Sequence, residues 1–289
     1  MQITVSLYNY FGNDSRGGWQ ILKKCAVIND LSGFGKCSLT AAIPVLSVMG
    51  CEAHPLPTAI LSNQTGYKSY RVLSMTDYMQ AFMNEWRKLG VSFDGILTGY
   101  VCDEKQIDLI NNFIDAFKCE NTILAVDPVM ADGGKLYDGF TDKMTDKIRT
   151  LCSRADIITP NVSELSILAD EPFCKTINDI EKCVEKVKKL GIKSIIVTGF
   201  DENDRITNLV YSENDFTRIS SKKYGGSFSG TGDLFVSIVL GAVMNGKSII
   251  SSVKLASSFL EKAIKYSDIS DRNDGIDFER YLGDLAYEN

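Results

Sequence analysis

From about residue 24, two patterns of apolar and polar positions alternate along the chain. Short β-branched runs close on small or polar residues, and longer segments repeat apolar positions at helical spacing. "KCAVIN", "FDGILTG", "TILAVDPV", "ADIITP" and "KSIIVTG" predict strands. "EAHPLPTAIL" predicts a strand interrupted by prolines, which suits a position away from the sheet centre. Helices are predicted over "SLTAAIPVLSVMG", "MTDYMQAFMNEWRKLG", "EKQIDLINNFIDAFK" and "TDKMTDKIRTLCS". Pro44 should kink the first of these or mark its first turn, and Gly90 closes the second. "TINDIEKCVEKVKKLG" is the clearest helix. Thr176 and Asp179 have capping-box spacing, Ile180, Cys183, Val184, Val187 and Leu190 share a face, and Gly191 ends it. "RITNLVYSENDFTRISS" predicts a hairpin turning at Glu213 and Asn214. Two more helices are expected, at about 231–244 and 248–266.

Strands alternating with helices predict an α/β fold: a single domain with a mostly parallel central sheet and helices on both faces. No linker, low-complexity tract or repeat interrupts it, so one domain is expected over 25–289. Residues 1–24 read as an N-terminal extension with no assigned role. They lack the basic and apolar regions of a secretory signal, and no apolar run in the chain is long enough to span a membrane.

In sheets of this kind ligands bind beyond the carboxyl ends of the strands. That rule points to Asn29, Asp30, Thr58, Gly99, Tyr100, Asp127, Thr159, Asn161, Thr198 and Gly199. The net charge of -6 and pI near 5.0 argue against nucleic acid as the main partner. The eight cysteines are dispersed without a CxxC pair, as expected of small buried hydrophobes in a reducing compartment. The single histidine, His54, lies beside two prolines, and one histidine excludes a His-rich metal site. A loop or strand position explains it better than a catalytic triad.

The densest chemistry lies in "GGSFSGTGDLFVSIVLGAVMNG", where four glycines within eight residues open into an apolar helix. A helix start presents unpartnered N–H groups and a positive dipole end. Gly230 and Gly232, with Thr231 between them, would let a phosphate approach those donors. Two roles suit Asp233: a base that accepts a proton from an attacking hydroxyl, or an acid that complements the helix dipole. The loop is neither a Walker A motif nor GxGxxG. "AVDPVMADGG" and "ITPNVSEL" add Asp127, Asp132, Asn161 and Glu164 at the same sheet edge. This oxygen-rich set suits Mg2+ held partly through water. Asn161 and Glu164 also have capping-box spacing, which is compatible with function.

"DPVMAD", "TPNVSEL", "VTG" and "GTGDLF", in this order, resemble the ribokinase-like superfamily. "NDLSGFGKCSLTAAIP", "LPTAILSNQTGY" and "FDGILTGYVCDEKQI" extend the resemblance to its vitamin B6 branch, the pyridoxal kinases, over about residues 25–266. The resemblance implies ATP-dependent phosphorylation of the 5′-hydroxyl of pyridoxal, pyridoxamine or pyridoxine. Asp233 would be the base, and Gly230, Thr231 and Gly232 would hold the transferred group. Asp132 and Glu164 would serve Mg2+. Asp127 and Thr159 would lie near a monovalent cation such as K+. Asn161, Thr198 and Gly199 would meet ATP, and Asn29, Thr58, Tyr67 and Tyr100 the vitamin. A cytoplasmic homodimer is expected by the same analogy.

Asn29 and Asp30 depart from the Ser and His often found there, and "NDLSGFG" is similar to the bacterial pyridoxamine-kinase subgroup. Hydroxymethylpyrimidine kinase of thiamine synthesis is the neighbouring branch, usually with Cys in place of Asp233. A non-catalytic sensor of pyridoxal phosphate or nucleotide is the alternative from another class.

Overall fold

The computed structural model describes residues 22–212, 215–268 and 271–286. The expected turn at Glu213 and Asn214 lies outside them, as do residues 1–21 of the expected extension. The chain begins with β1 (Lys23–Ser32), α1 (Ser38–Val48), β2 (Cys51–Leu61), β3 (Val72–Ser74) and α2 (Thr76–Leu89). β4 (Gly95–Thr98), α3 (Glu104–Phe117), β5 (Ile123–Val126), β6 (Ala131–Asp132), β7 (Lys135–Leu136) and α4 (Asp142–Cys152) follow. Next come β8 (Ile157–Ile158), α5 (Val162–Leu168), α6 (Ile177–Val187), β9 (Ser194–Glu202), β10 (Arg205–Ser212) and β11 (Asp215–Lys222). α7 (Thr231–Met244), α8 (Ile249–Tyr266) and α9 (Leu282–Ala286) complete it.

Among the described residues, nine strands form one sheet in the order β11-β10-β9-β8-β5-β4-β1-β2-β3. The six strands from β9 to β2 pair in parallel, while β3, β10 and β11 run antiparallel at the two edges. Both faces of the parallel strands are apolar because both are covered. Ala26 and Ile28 pack with α2 to α6, whereas Cys25 and Val27 pack with α1, α7, α8 and α9. β2 touches β3 only over Ala59–Leu61, so its Pro55 and Pro57 need no second ladder. This accommodates the prolines as the sequence suggested.

Several local signals work as expected. Gly90 takes a left-handed φ of 65° after α2, and Thr176 and Asp179 close a capping box on α6. The face predicted to reach Leu190 stops earlier, because the chain tightens into a 3-10 turn at Lys188–Leu190 before Gly191. Pro44 sits inside α1 rather than in its first turn. His54 lies on β2 beside Glu52 and edge-on to Phe93, a structural position. Among the described residues the cysteines are free thiols, most of them buried, although Cys119 is exposed.

β1 lies between β2 and β4, where the strand order reverses. Such a switch point opens a crevice at the carboxyl ends of the strands. Two irregularities shape it. The β1–β2 register breaks between Asn29 and Leu31, and the β9–β10 register breaks opposite Thr198 and Gly199. Bulges of this kind re-aim side chains at functional edges.

Candidate active site

A cleft of about 950 Å3 runs along this sheet edge. Gly230 begins it on one side. Its φ of 80° is left-handed, and a Cβ there would lie 1.8 Å from the Lys36 carbonyl oxygen. Only glycine lets the chain turn here while pressed against the loop before α1. The turn ends β11's long return and starts α7, whose Leu234, Ile238 and Leu240 are fully buried. Burial of that apolar helix fixes the position of its N-terminus, and with it Thr231, Gly232 and Asp233. Thr231 Oγ1 donates to the Phe228 carbonyl at 2.9 Å, closing the turn.

Asp233 faces the end of β1. Asn29 Nδ2 donates to Asp233 Oδ1 at 3.0 Å, and the Ser38 backbone N–H also stabilises that carboxylate. Asn29 is itself held, since its Oδ1 accepts from the backbone N–H groups of Asp30 (3.0 Å) and Tyr100 (2.9 Å). Burial outweighs these donors and pushes Asp233 up to about 6. Burial also raises Asp127, with the Asp233 charge adding to it and a 3.2 Å hydrogen bond from Thr159 Oγ1 opposing. Gly232 presents only hydrogen toward Asp127, whose Oδ2 would lie 3.8 Å from a Cβ there.

Asn161 and Glu164 form the capping box of α5. Glu164 is 3% exposed, and its two oxygens accept from Asn161 N at 2.9 Å and Met130 N at 3.2 Å. Burial and the Asp127 charge raise it well above the usual carboxylate range. Asn161 Nδ2 reaches across to the Ala131 carbonyl at 2.8 Å, tying α5 to the small β6–β7 hairpin. Asp132 is exposed on that hairpin. Gly199, with φ 73°, sits in the β9–β10 bulge, where its N–H donates to Asn208 Oδ1 at 3.0 Å.

The structure therefore brings Asn29, Tyr100, Asp127, Asp132, Asn161, Glu164, Thr198, Gly199 and Gly230 to Asp233 into one cleft. It does not bring Thr58 or Tyr67 into its lining. Thr58 is fully buried and donates to the Tyr100 carbonyl at 2.8 Å, so it supports the wall. Tyr67 turns its hydroxyl onto Asp274. Its neighbours Gln64, Thr65 and Gly66 line the cleft instead. The acids expected to share Mg2+ are likewise not gathered into one set. Among the described residues, no three His, Cys, Asp or Glu side chains are grouped to hold a metal ion. Glu164 is committed to backbone donors and Asp132 stands out on its hairpin.

Other lining residues carried no local signal. Cys37 and Ser38, Tyr137, Lys175 and Arg272 come from four different segments. Arg272 and Lys175 are the cations on the lining, whereas Lys223 pairs with Asp201 and Lys222 lies over the Tyr224 ring. Only the packing of the C-terminal segment against the glycine loop, through Ser229 N to the Arg272 carbonyl at 3.1 Å, puts Arg272 there.

The sheet order, the helices on both faces and a glycine-opened helix carrying an acid at the switch-point cleft define a ribokinase-like kinase. The chain belongs to the phosphomethylpyrimidine kinase family, whose model matches residues 35–276. A crystal structure of a candidate phosphomethylpyrimidine kinase from Bacteroides thetaiotaomicron, solved with pyridoxal, is 35% identical. It superposes with a TM-score of 0.87, covering 92% of this chain and 96% of that one. Pyridoxal kinase from Lactobacillus plantarum is 26% identical with a TM-score of 0.87, covering 93% and 98%. The pyridoxal kinase of Dictyostelium discoideum is 27% identical over 226 residues, 71% of this chain and 72% of that protein.

Proposed function

We propose that this chain transfers the terminal phosphoryl group of ATP to the 5′-hydroxyl of a vitamin B6 vitamer. The observation that carries the reading is Asp233, a buried carboxylate pushed up to about 6, held by Asn29 at the start of a helix opened by Gly230 and Gly232. Asp233 accepts the hydroxyl proton as the oxygen attacks. A base works best when its pKa lies near the working pH, and burial moves Asp233 toward that range. The N–H groups at the start of α7 face the transferred phosphoryl and stabilise its charge without reorganising. Lys175 and Arg272 supply further positive charge to the cleft. Asn29 and Tyr100 form the vitamin end, and Asn161, Thr198 and Gly199 the nucleotide end.

Although the described acids form no three-residue cluster, two cleft carboxylates suit Mg2+ in the manner usual for kinases, with substrate phosphates and water completing the shell. Asp127 and Asp132 would hold it, with Glu164 fixing the loop between them. The ion would neutralise charge on the phosphates. A monovalent cation near Asp127 and Thr159 belongs to the same reading. So does a cytoplasmic homodimer, by family analogy, the free thiols suiting a reducing compartment.

The second reading is hydroxymethylpyrimidine (phosphate) kinase, favoured by the family's description and by a relative from Aquifex aeolicus named hydroxymethylpyrimidine/phosphomethylpyrimidine kinase. Asp233 weighs against it. ATP consumption with Mg2+ against pyridoxal, pyridoxamine, pyridoxine, hydroxymethylpyrimidine and ribose separates them. Turnover confined to the B6 vitamers is expected. Turnover with hydroxymethylpyrimidine alone would overturn the assignment, and none with any of the five would favour a sensor.

A further inference from the structure

Two carboxylates flank Ser38. Its Oγ donates to Asp30 Oδ1 at 2.5 Å, and its backbone N–H stabilises the Asp233 carboxylate. Ser38 is the first residue of α1, and its φ is 51°. That is the left-handed region, where a side chain's Cβ crowds the following carbonyl. A serine stays there only when its surroundings over-determine it. The restraint on its side chain is Asp30.

Asp30 lines the same cleft, with each of its oxygens turned onto a hydroxyl. It is 5% exposed, and no Lys or Arg among the described residues pairs with it. Its oxygens accept two hydroxyls, Ser38 on Oδ1 and Ser32 on Oδ2 at 2.9 Å. Its own N–H is fixed by Asn29 Oδ1 at 3.0 Å. It sits where the β1–β2 register breaks, so the strand irregularity aims its carboxylate at the start of α1. A buried carboxylate is costly unless hydrogen-bonded. This one is retained beside a strained residue whose backbone N–H stabilises the base's carboxylate.

We propose that Asp30 is a positioning residue for phosphoryl transfer: it holds Ser38 in the left-handed conformation and so keeps the Ser38 N–H on the Asp233 carboxylate. Asn29 grips the same carboxylate from β1. The base is thereby oriented by two donors, one from the strand end and one from the helix start. Without the second, Asp233 can rotate, and a displacement of about 1 Å at a reacting group can cost roughly 100-fold in rate. The inference rests on reading Asp233 as the base.

The test is a double-mutant cycle of Asp30→Ala with Ser38→Gly, read by kcat and by KM for ATP, together with a crystal structure of Asp30→Ala. Glycine adopts the φ of Ser38 without restraint, so the background of Ser38→Gly should remove the need for Asp30. Asp30→Ala is expected to lower kcat at least about tenfold in the wild-type chain, with KM for ATP unchanged, but less than about threefold in the Ser38→Gly background. In the crystal structure of Asp30→Ala, Ser38 should have left the positive-φ region. Equal losses in both backgrounds would overturn the proposal, as would a loss confined to the amine-bearing vitamer, or a Ser38 that keeps its φ. A wild-type enzyme that turned over no vitamer would instead count against the functional reading, while the crystal structure still decided the role of Asp30.

Discussion

Asn29 Nδ2 lies 3.0 Å from Asp233 Oδ1, joining residues 204 positions apart in the chain. One comes from the end of β1 and the other from the first turn of α7. The contact orients the acid that the site needs and brings the two halves of the cleft together.

Replacing Asp233 tests the chemistry directly. Asp233→Asn keeps the shape and the Asn29 contact but removes the proton acceptor. Turnover should fall by about 100- to 10,000-fold, the usual range for a general base, with ATP affinity and folding retained. Steady-state kinetics beside equilibrium nucleotide binding checks this. Unchanged turnover would remove Asp233 from the mechanism.

The same acid sets the pH profile. Only ionised Asp233 can accept a proton, and burial pushes it up to about 6. The kcat/KM should therefore fall about tenfold per unit below pH ~6. A plateau reaching down to about pH 4 would mean that this carboxyl is not the group titrating.

Stability should move the opposite way. Asp233 is raised from 3.8 to about 6, and Asp127 is raised further, both first by burial. Their protonated forms are favoured in the folded chain, which binds more protons than the unfolded one above the ordinary carboxylate value. Their contribution is complete below about pH 4 and is lost as pH rises through 6 and beyond. Thermal melts of the ligand-free protein should show that decline, and Mg2+ should raise Tm more at the alkaline end, where it meets ionised Asp127. Melts that rise steadily over this range would contradict the shifts.

Glu164→Gln separates support from metal binding. The amide nitrogen would face a backbone N–H where Glu164 now accepts from Asn161 and Met130. An unsatisfied buried pair of donors should cost about 1–3 kcal/mol, measured by urea unfolding with no metal added. A residue needed only for a cation would leave that value unchanged.

Gly230→Ala should damage both stability and turnover. The left-handed φ alone costs about 1–2 kcal/mol, and the added methyl would meet the Lys36 carbonyl oxygen at 1.8 Å. Unfolding experiments that show a smaller loss would mean the loop can yield.

Much of this was legible from local pattern. β-Branched runs and helical faces mark their elements because side-chain burial follows the backbone period. Thr176 with Asp179, Gly90 and the Gly230–Asp233 turn are readable because each serves a need met within a few residues. The β9–β10 hairpin around Asn203 and Asp204 and the two-residue strands β6 and β7 were missed, since such short pairings have little periodicity. Thr58 and Tyr67 were assigned to the vitamin by resemblance, but whether a side chain faces a cleft or a neighbour's carbonyl depends on packing from other segments.

The amino-acid sequence by itself determined the α/β alternation, the sheet edge that would carry chemistry and the identity of the acid at the glycine turn. Those depend on interactions between near neighbours. Only the tertiary structure decided that Asn29 grips Asp233, that Glu164 is spent on backbone donors, that Arg272 reaches the cleft and that Ser38 is strained between two carboxylates. Each of these depends on strand order and helix docking, which bring distant residues together through the burial of two apolar faces rather than through any local signal.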